Sequence, residues 1–358
     1  MLKAREAVLT LKEYHPPLGG RTGLRMDFNE NTGGCSPRVL KVLRSLDAQL
    51  LAKYPEREPV ERFVADSLGL DANQVLLTNG VDEGIHLLCQ AYVESGDEVL
   101  IVVPTFSMYE VYASAAGARV VTVMSGDNFA FPTEAVLAAI TPRTRLIAIA
   151  NPNNPTGAVV EESVLLEIAK AAPEAAVLID EAYFEFYGRT IIPRIAESPN
   201  LFVARTFSKV YGLAALRIGI IAGDARQMRM VRRVSSPYNV NAVALAVLPE
   251  ALADGDYVAS YVEQTRLSRE RLERELEHLG LQFWPSQANF VLCRVGARRK
   301  QFIEEMRRRG VLVRDRNSDP RCEGCVRITV GLSGQMDVLI SALRESLAEI
   351  GLKQEAVR

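Results

Sequence analysis

The segment Thr206-Phe207-Ser208-Lys209 places a lysine in a turn that follows an apolar run, and Arg217 lies eight residues further on. A lysine reacts with carbonyl groups only as the neutral amine, and burial beside another cation lowers its pKa by disfavouring the charged form. Arg217 has the charge to act as that cation or to bind a phosphate. The alternative is a solvated surface lysine, the usual location of this residue type. The segment taken alone leaves both interpretations open.

Two further polar clusters come directly after apolar runs. Asn151-Pro152-Asn153-Asn154-Pro155-Thr156-Gly157 is rich in turn residues, and Asp180-Glu181-Ala182-Tyr183 offers a carboxylate and a phenol. Each cluster has a plain structural explanation, since the first suits a loop and Asp180 suits a cap for the following segment. Their order along the chain, followed by Lys209 and Arg217, favours one shared site instead.

The elements that must position these residues are short apolar runs that alternate with amphipathic helical stretches from about residue 75 onward. The runs are almost continuously apolar, which is typical of strands buried on both faces. This pattern predicts an α/β fold with a mainly parallel sheet covered by helices. Ligand-binding residues in such sheets lie just past the carboxyl ends of the strands, where the three clusters fall. The predicted strands cover residues 99–103, 119–123, 146–150, 176–179, 201–204 and 218–221.

The length of 358 residues suits one large and one smaller domain. Residues 1–35 contain Pro16-Pro17 and Gly19-Gly20 and are predicted to form an arm. Residues 36–255 are predicted to form the large domain. Residues 256–358 begin with a long helix predicted at 256–279 and are predicted to form a smaller α+β domain.

The composition excludes several classes of function. Hydrophobic residues at 48% and charged residues at 24% are typical of soluble proteins, and a net charge of −2 gives no general attraction to nucleic acid or anionic membranes. We find neither a signal-type apolar segment nor a membrane-spanning run, so we expect a cytoplasmic protein. Five cysteines do not indicate a disulfide framework, and Cys322 and Cys325 have the spacing of half a zinc site that nothing else completes. No metal is predicted.

Taken together, the polar clusters supply what pyridoxal 5'-phosphate needs. A lysine forms a Schiff base with its aldehyde, a carboxylate keeps its ring nitrogen protonated, a phenol and an amide bind its ring oxygen, and an arginine binds its phosphate. The helix that opens at Thr78-Asn79-Gly80-Val81-Asp82 adds backbone N–H groups for the phosphate. Phe106 follows Pro104-Thr105 and is the candidate to stack on the cofactor ring.

The sequence resembles the fold-type I, pyridoxal-phosphate-dependent aminotransferases of class I and II, and within them the histidinol-phosphate aminotransferases. The resemblance extends from residue 14 to about residue 343. It implies a large domain with a mainly parallel seven-stranded sheet, a smaller C-terminal α+β domain and an N-terminal arm. The motifs that carry it are Asp27-Phe28-Asn29-Glu30-Asn31, Tyr54-Pro55-Glu56, Asn79-Gly80-Val81-Asp82-Glu83, Asn154-Pro155-Thr156-Gly157, Asp180-Glu181-Ala182-Tyr183, Ser208-Lys209, Arg314-Asp315-Arg316 and Arg327-Ile328-Thr329-Val330-Gly331.

The resemblance also implies roles for residues around the cofactor. Lys209 would form the Schiff base and transfer the proton at the substrate Cα. Asp180 would pair with the pyridinium nitrogen, while Asn154 and Tyr183 would bind the ring oxygen. The cofactor phosphate would be bound by side chains and backbone groups of Val81, Asp82, Thr206, Ser208 and Arg217.

Further residues match positions of the family that contact substrate or a second subunit. Tyr54 matches a tyrosine that reaches the cofactor phosphate of the neighbouring subunit, so the resemblance implies a homodimer with shared active sites. Arg327 matches the arginine that binds the substrate anion. Tyr14, Tyr238 and Arg314 match positions around the substrate phosphate and side chain.

The activity implied is transfer of an amino group between histidinol phosphate and 2-oxoglutarate in histidine biosynthesis, in a ping-pong cycle. Alternatives on the same scaffold are an aromatic amino-acid aminotransferase and a decarboxylase of the threonine-phosphate type. A cofactor-binding regulator without turnover is a third alternative. Two departures from the family pattern line the substrate side and leave the substrate open: Phe106 replaces a frequent tyrosine, and Gly33-Gly34-Cys35 replaces a loop that commonly contains proline.

Overall fold

The structure is a computed structural model that describes residues 2–9, 11, 13 and 19–351. Tyr14, one of the predicted substrate residues, lies outside the described residues. The strands are β1 (Leu24–Met26), β2 (Val75–Thr78), β3 (Glu98–Val103), β4 (Arg119–Met124), β5 (Thr144–Ala150), β6 (Ala176–Asp180), β7 (Leu201–Thr206), β8 (Gly219–Gly223), β9 (Gln282–Trp284), β10 (Phe290–Arg294), β11 (Val311–Asp315) and β12 (Cys325–Thr329). The α-helices are α1 (Glu6–Leu9), α2 (Pro37–Ser45), α3 (Ala48–Ala52), α4 (Glu58–Leu68), α5 (Gly80–Tyr92), α6 (Met108–Ala116), α7 (Thr133–Ala139), α8 (Glu162–Ala171), α9 (Phe184–Tyr187), α10 (Ala225–Val234), α11 (Ala242–Ala253), α12 (Gly255–His278), α13 (Arg299–Arg308) and α14 (Ser333–Glu349).

Seven strands form the larger sheet in the order β2-β8-β7-β6-β5-β3-β4. The neighbours from β7 to β4 are parallel, whereas β8 runs antiparallel to both β2 and β7. Side chains of one strand alternate between two cores. In β6, Val177 and Ile179 pack in one core while Ala176 and Leu178 pack in the other. Helices cover both faces, which explains the continuous apolar runs and confirms the predicted mainly parallel α/β sheet.

The smaller sheet has the strand order β1-β11-β12-β10-β9. β1 is parallel to β11, and the other neighbours are antiparallel. Its core includes Leu272 of α12, Phe302 of α13 and Leu339 of α14. The long helix predicted at 256–279 is α12. β1 lies within the predicted arm, so part of the 1–35 segment is a strand of this sheet, and the domain boundaries themselves stay predictions.

The larger sheet brings the polar clusters to one edge. β5 ends at Ala150, next to Asn151, and β6 and β7 end at Asp180 and Thr206. These three strands are adjacent and parallel, so their carboxyl ends meet. β2 points the same way, and α5 begins at Gly80 directly after it. One end of the sheet therefore collects the three polar clusters and the start of α5.

Across the described part of the chain, we find no helix with the length and apolar character required to cross a bilayer. The same residues contain no group of three or more His, Cys, Asp or Glu side chains placed to hold a metal ion. Cys322 and Cys325 are buried in an apolar cluster with Phe129, Trp284 and Leu292. Their surroundings are those of core residues.

Candidate active site

A pocket of about 340 Å³ lies at the carboxyl edge of the larger sheet. Its size is that of a typical small-molecule site. A second cavity of about 140 Å³ adjoins it and shares Phe106, Asn154, Tyr183 and Lys209 with it. Every residue predicted to bind the cofactor, apart from Tyr54, lines the larger pocket: Val81, Asp82, Phe106, Asn154, Asp180, Tyr183, Thr206, Ser208, Lys209 and Arg217.

Lys209 lies in the turn after β7 with its amine inside the pocket. Nζ donates a hydrogen bond of 3.3 Å to the backbone carbonyl of Phe28. Burial lowers the pKa of Lys209 to about 8, and Arg327 adds to the effect more strongly than Arg217 does. The cation suggested by the sequence was Arg217, so the sequence interpretation named the lesser of the two. A far larger fraction of this amine is neutral near physiological pH than of an exposed lysine amine.

Asp180 ends β6 and is 4% exposed. One carboxylate oxygen accepts a 2.6 Å hydrogen bond from the hydroxyl of Tyr109, and the other accepts one of 3.0 Å from the backbone N–H of Ala182. Burial raises the pKa of Asp180 to about 6, although both hydrogen bonds oppose the rise. Among the described residues no cation is paired with Asp180. The carboxylate is therefore oriented and poised to ionise beside a positively charged ligand.

Tyr183 lines the pocket, with its ring edge-to-face against Phe290 at a centroid distance of 5.1 Å. Its oxygen accepts a 2.8 Å hydrogen bond from the side-chain amide of Asn29. Asn154, in the loop after β5, accepts a hydrogen bond from Arg327 through its side-chain oxygen. Both contacts join the larger sheet to residues of the smaller one or of the segment beside it. The pocket is thus closed by polar contacts between the two sheets.

The start of α5 and the guanidinium of Arg217 form one end of the pocket. Arg217 donates 3.0 and 3.3 Å hydrogen bonds to the side chain of Asp82 and the carbonyl of Ala214. Gly80 has φ +76°, and a Cβ there would lie 2.7 Å from Arg217 Nη2. The positive φ favours glycine at this position, whereas the mobile end of the Arg217 side chain could shift to admit a Cβ. Ser208 donates its backbone N–H to the hydroxyl of Thr206 at 3.1 Å, which completes an N–H- and hydroxyl-rich cradle suited to a phosphate.

Three arginines, Arg314, Arg316 and Arg327, line the adjoining cavity. Arg327 is 4% exposed and donates a 2.8 Å hydrogen bond to the carbonyl of Asp27. Burial, reinforced by Arg316, lowers the pKa of Arg327 to about 9. Arg316 forms an ion pair with Asp319. The Nε atoms of Arg316 and Arg327 are buried without a hydrogen-bond partner among the described residues. Arg327 is thus a buried cation with an unused Nε donor, which suits an anionic ligand.

Tyr54 and Tyr238 are not brought to this pocket. Their rings stack at 4.4 Å on the surface, where they are 78% and 55% exposed. Within one chain, neither tyrosine lines the pocket or the adjoining cavity. Their predicted contacts with cofactor and substrate therefore stay predictions.

Comparison with known proteins identifies the family. Residues 21–343 match the family model described as aminotransferase class I and II. The chain belongs to the class I and II aminotransferases. It is 35% identical to a histidinol-phosphate aminotransferase of Caldanaerobacter subterraneus subsp. tengcongensis, over 90% of this chain and 93% of that protein. It is 33% identical to a histidinol-phosphate aminotransferase of Moorella thermoacetica, over 97% of this chain and 93% of that protein.

A solved structure of this aminotransferase family agrees with the fold. The histidinol-phosphate aminotransferase from Sinorhizobium meliloti, in complex with pyridoxal 5'-phosphate, aligns with a TM-score of 0.89 and 26% identity, covering 98% of this chain and 99% of that one. The family resemblance and the fold-type I architecture are thus confirmed. The protein is a pyridoxal-phosphate-dependent aminotransferase.

The residues of this aminotransferase fit that cofactor. Asp180 has a raised pKa and no cation partner among the described residues, as a protonated ring nitrogen requires. Lys209 is a buried amine with a lowered pKa, as an aldehyde requires. The start of α5 beside Arg217 offers backbone N–H groups and a guanidinium for a phosphate. Each of the three polar ends of the cofactor has a matching group in the same pocket.

Sequence reasoning missed four residues of the aminotransferase site. Tyr109 holds Asp180, Asn29 holds Tyr183, Arg316 joins the arginine cluster, and Phe28 lines both cavities. Phe28, Asn29 and Arg316 stand in motifs that carry the family resemblance, but the resemblance assigns no role to these side chains. Tyr109 lies three residues after Phe106, at the start of α6, and this closeness in sequence is the signal that could identify it.

Proposed function

We propose that the chain transfers an amino group between L-histidinol phosphate and 2-oxoglutarate, as in histidine biosynthesis, through two half-reactions in a ping-pong cycle. The observation that carries this proposal is the cluster of Arg314, Arg316 and Arg327 beside Lys209. Histidinol phosphate has a phosphomonoester where glutamate has its α-carboxylate, and a planar guanidinium binds either anion at two points. The two relatives named histidinol-phosphate aminotransferase, at 33–35% identity, support the same substrate.

We propose the following roles around the cofactor. When bound, pyridoxal phosphate supplies a ring that accepts the electrons of a bond broken at the substrate Cα. Lys209 holds the aldehyde carbon and moves the proton at Cα. Asp180 keeps a proton on the ring nitrogen, and Asn154 and Tyr183 orient the ring oxygen. Phe106 packs against the ring face.

The cofactor phosphate is assigned to the opposite end of the pocket. The backbone N–H groups of Val81 and Asp82 at the start of α5 and the hydroxyls of Thr206 and Ser208 surround it, with Arg217 as its cation. Their shared location at the strand ends supports this assignment. Charge-assisted hydrogen bonds of this kind contribute about 1.5–3 kcal/mol each.

We also propose a homodimer in which Tyr54 of one subunit contacts the cofactor phosphate of the other. The exposed stack of Tyr54 on Tyr238 supports a contact surface at this position. By the family pattern, Tyr14 and Tyr238 lie on the substrate side of the shared site. The amino donor is a phosphorylated amino alcohol, and glutamate or 2-oxoglutarate is the second substrate.

Tyr54→Phe is expected to weaken cofactor retention roughly tenfold or more, because it removes one hydrogen bond to a charged phosphate. The measurement is the equilibrium release of cofactor on dilution, together with sedimentation to establish the assembly. Phe63→Leu, another exposed aromatic position, is the control for surface substitution. A fully active monomer would contradict the shared site.

The amino donor is tested by comparing kcat/KM for histidinol phosphate and phenylalanine with 2-oxoglutarate as acceptor. We expect histidinol phosphate to be favoured by more than tenfold, about 1.4 kcal/mol in transition-state binding. Arg327→Ala should impair both half-reactions, whereas Arg314→Ala should impair mainly the phosphorylated substrate. Arg226→Ala, on the exposed face of α10, is the matched control.

Each other outcome of this comparison points to a different function. Preference for phenylalanine would indicate an aromatic amino-acid aminotransferase. Release of carbon dioxide from threonine phosphate would indicate a decarboxylase. Equal loss with glutamate in the Arg314 and Arg327 variants would contradict the division of roles between the two arginines.

A further inference from the structure

Asn29 occupies an unusual position between the two sheets. It is 1% exposed, and its φ of 55° lies in the left-handed region, which asparagine tolerates better than most residues. Its backbone N–H donates to the hydroxyl of Thr329 at 3.0 Å, and its carbonyl accepts from the side-chain amide of Asn289 at 3.1 Å. Thr329 and Asn289 are fully buried. The backbone of Asn29 is therefore fixed by the smaller sheet.

The side chain of Asn29 is fixed as tightly as its backbone. The Thr329 hydroxyl donates to Oδ1 at 3.1 Å, and Nδ2 donates to the oxygen of Tyr183 at 2.8 Å. This network determines which end of the amide faces which partner. If the amide were reversed, two N–H donors would meet the Thr329 oxygen and its hydroxyl hydrogen would lose its acceptor. The amide must therefore present its donor to Tyr183.

The orientation of the amide has a consequence for Tyr183. An amide N–H₂ group only donates, so the phenol oxygen must accept from it, and the phenol hydrogen must point elsewhere. Tyr183 is 4% exposed and lines the pocket that contains Lys209. No described residue is seen to accept a hydrogen bond from its hydroxyl, so this hydrogen is available to a ligand in the pocket.

We propose that Asn29 is a positioning residue that makes Tyr183 a hydrogen-bond donor to the ring oxygen of the bound cofactor. This inference rests on the proposed function, since it takes Tyr183 as the ring-oxygen ligand. A hydrogen bond donated by Tyr183 stabilises the ionised ring oxygen and so lowers the pKa of the lysine-bound chromophore. Loss of that hydrogen bond should raise the pKa. Thr329 lies two residues after Arg327 on β12. The hydrogen bonds of Asn29 therefore connect the strand that carries Arg327 to Tyr183.

Asn29→Asp tests the proposal because it keeps the size of the side chain and replaces the donor with an acceptor. The Tyr183 hydrogen would then turn toward the introduced carboxylate and away from the cofactor. We expect the pKa of the bound chromophore, followed by its visible absorbance between pH 5 and 10, to rise by about one unit or more. The introduced charge alone would raise this pKa too. The same substitution is therefore made in Tyr183→Phe, where only the charge effect can remain.

A larger pKa shift in the wild-type background than in Tyr183→Phe supports the proposal, whereas equal shifts or no shift overturn it. Thr329→Val provides a neutral second variant, because it releases the amide without adding charge and keeps the side-chain shape. It should raise the chromophore pKa in the same direction, and should have no effect in Tyr183→Phe. The proposed function fails separately: a wild-type protein that shows no visible band with pyridoxal phosphate would overturn that function before any pKa is compared.

Discussion

Lys209→Ala is expected to abolish the visible absorbance of the reconstituted protein and to lower transamination by roughly 10⁴-fold or more. The first effect follows because no other described residue of the pocket offers an amine to the cofactor aldehyde. The second follows from the proposed role of the same amine as acid and base at the substrate Cα, because such proton transfer contributes roughly 10²- to 10⁴-fold before the covalent role is counted. The measurements are an absorption spectrum and single-turnover kinetics.

Two matched variants separate the role of Lys209 from general effects of a lost charge. Lys209→Arg keeps a cation in the pocket, yet it should lose the absorbance band to the same degree because a guanidinium does not form the bond. Lys170→Ala removes an exposed lysine from α8 and should leave both readouts unchanged. Wild-type protein that remains colourless with pyridoxal phosphate would end the assignment of Lys209.

Asp180→Asn is expected to lower cofactor affinity and activity by roughly 10²- to 10⁴-fold. Removing one partner of a buried ion pair costs about 3–5 kcal/mol, and each 1.4 kcal/mol is a factor of ten. The hydrogen bond from Ala182 to the remaining carbonyl oxygen survives, so the loss reports the missing charge. Tyr109→Phe removes one hydrogen bond to the same carboxylate and should cost much less, about 1.5–3 kcal/mol.

Asp180→Asn should also stabilise the cofactor-free protein at neutral pH. Folding raises the pKa of Asp180 from 3.8 to about 6 because the carboxylate is buried. The unfolded chain therefore ionises first, and the folded state loses stability as the pH rises from about 4 to about 6. Above that window the penalty is constant, on the order of 2–3 kcal/mol. Asparagine avoids it.

Chemical denaturation of the cofactor-free proteins measures this effect. The advantage of Asp180→Asn in free energy of unfolding should grow by about 1 kcal/mol between pH 5 and pH 8. An advantage that is independent of pH, or a variant less stable than wild type at pH 8, would contradict a buried carboxylate without a cation. Adding pyridoxal phosphate should reverse the order, because the wild type alone gains the ion pair.

Much of the site could be predicted because the reactive side chains stand next to the apolar runs that form the strands, so the sequence alone shows which of them lie at strand ends. Asp180 ends one buried apolar strand and Lys209 lies three residues past the next one, and parallel strands place such residues at one edge of the sheet. The turn-rich segment 151–157, which contains Asn154, marks the end of the third strand in the same way. The mainly parallel sheet followed from runs that are apolar on both faces, and the structure shows the two cores that require them.

The remainder depends on contacts between distant parts of the chain. The relative effects of Arg217 and Arg327 on the pKa of Lys209 depend on how the two sheets pack against each other. Residue spacing in the sequence does not give that packing. Asn29 and Tyr183 meet across more than a hundred residues of sequence. Tyr54 and Tyr238 lie on the surface of the chain, and sequence spacing does not show what their side chains contact.

The three-residue strand β1 has a consequence for the order in which the molecule can be assembled. Leu24 pairs with Val311, close to the other end of the chain. During synthesis from the N-terminus, the strands of the larger sheet leave the ribosome well before β11 exists, so that sheet can form while β1 still lacks its partner. Asn29 lies three residues after the end of β1 and is held by Asn289 and Thr329, which are also synthesised late. The cofactor pocket therefore acquires its final wall only when the last strands of the nascent chain have docked.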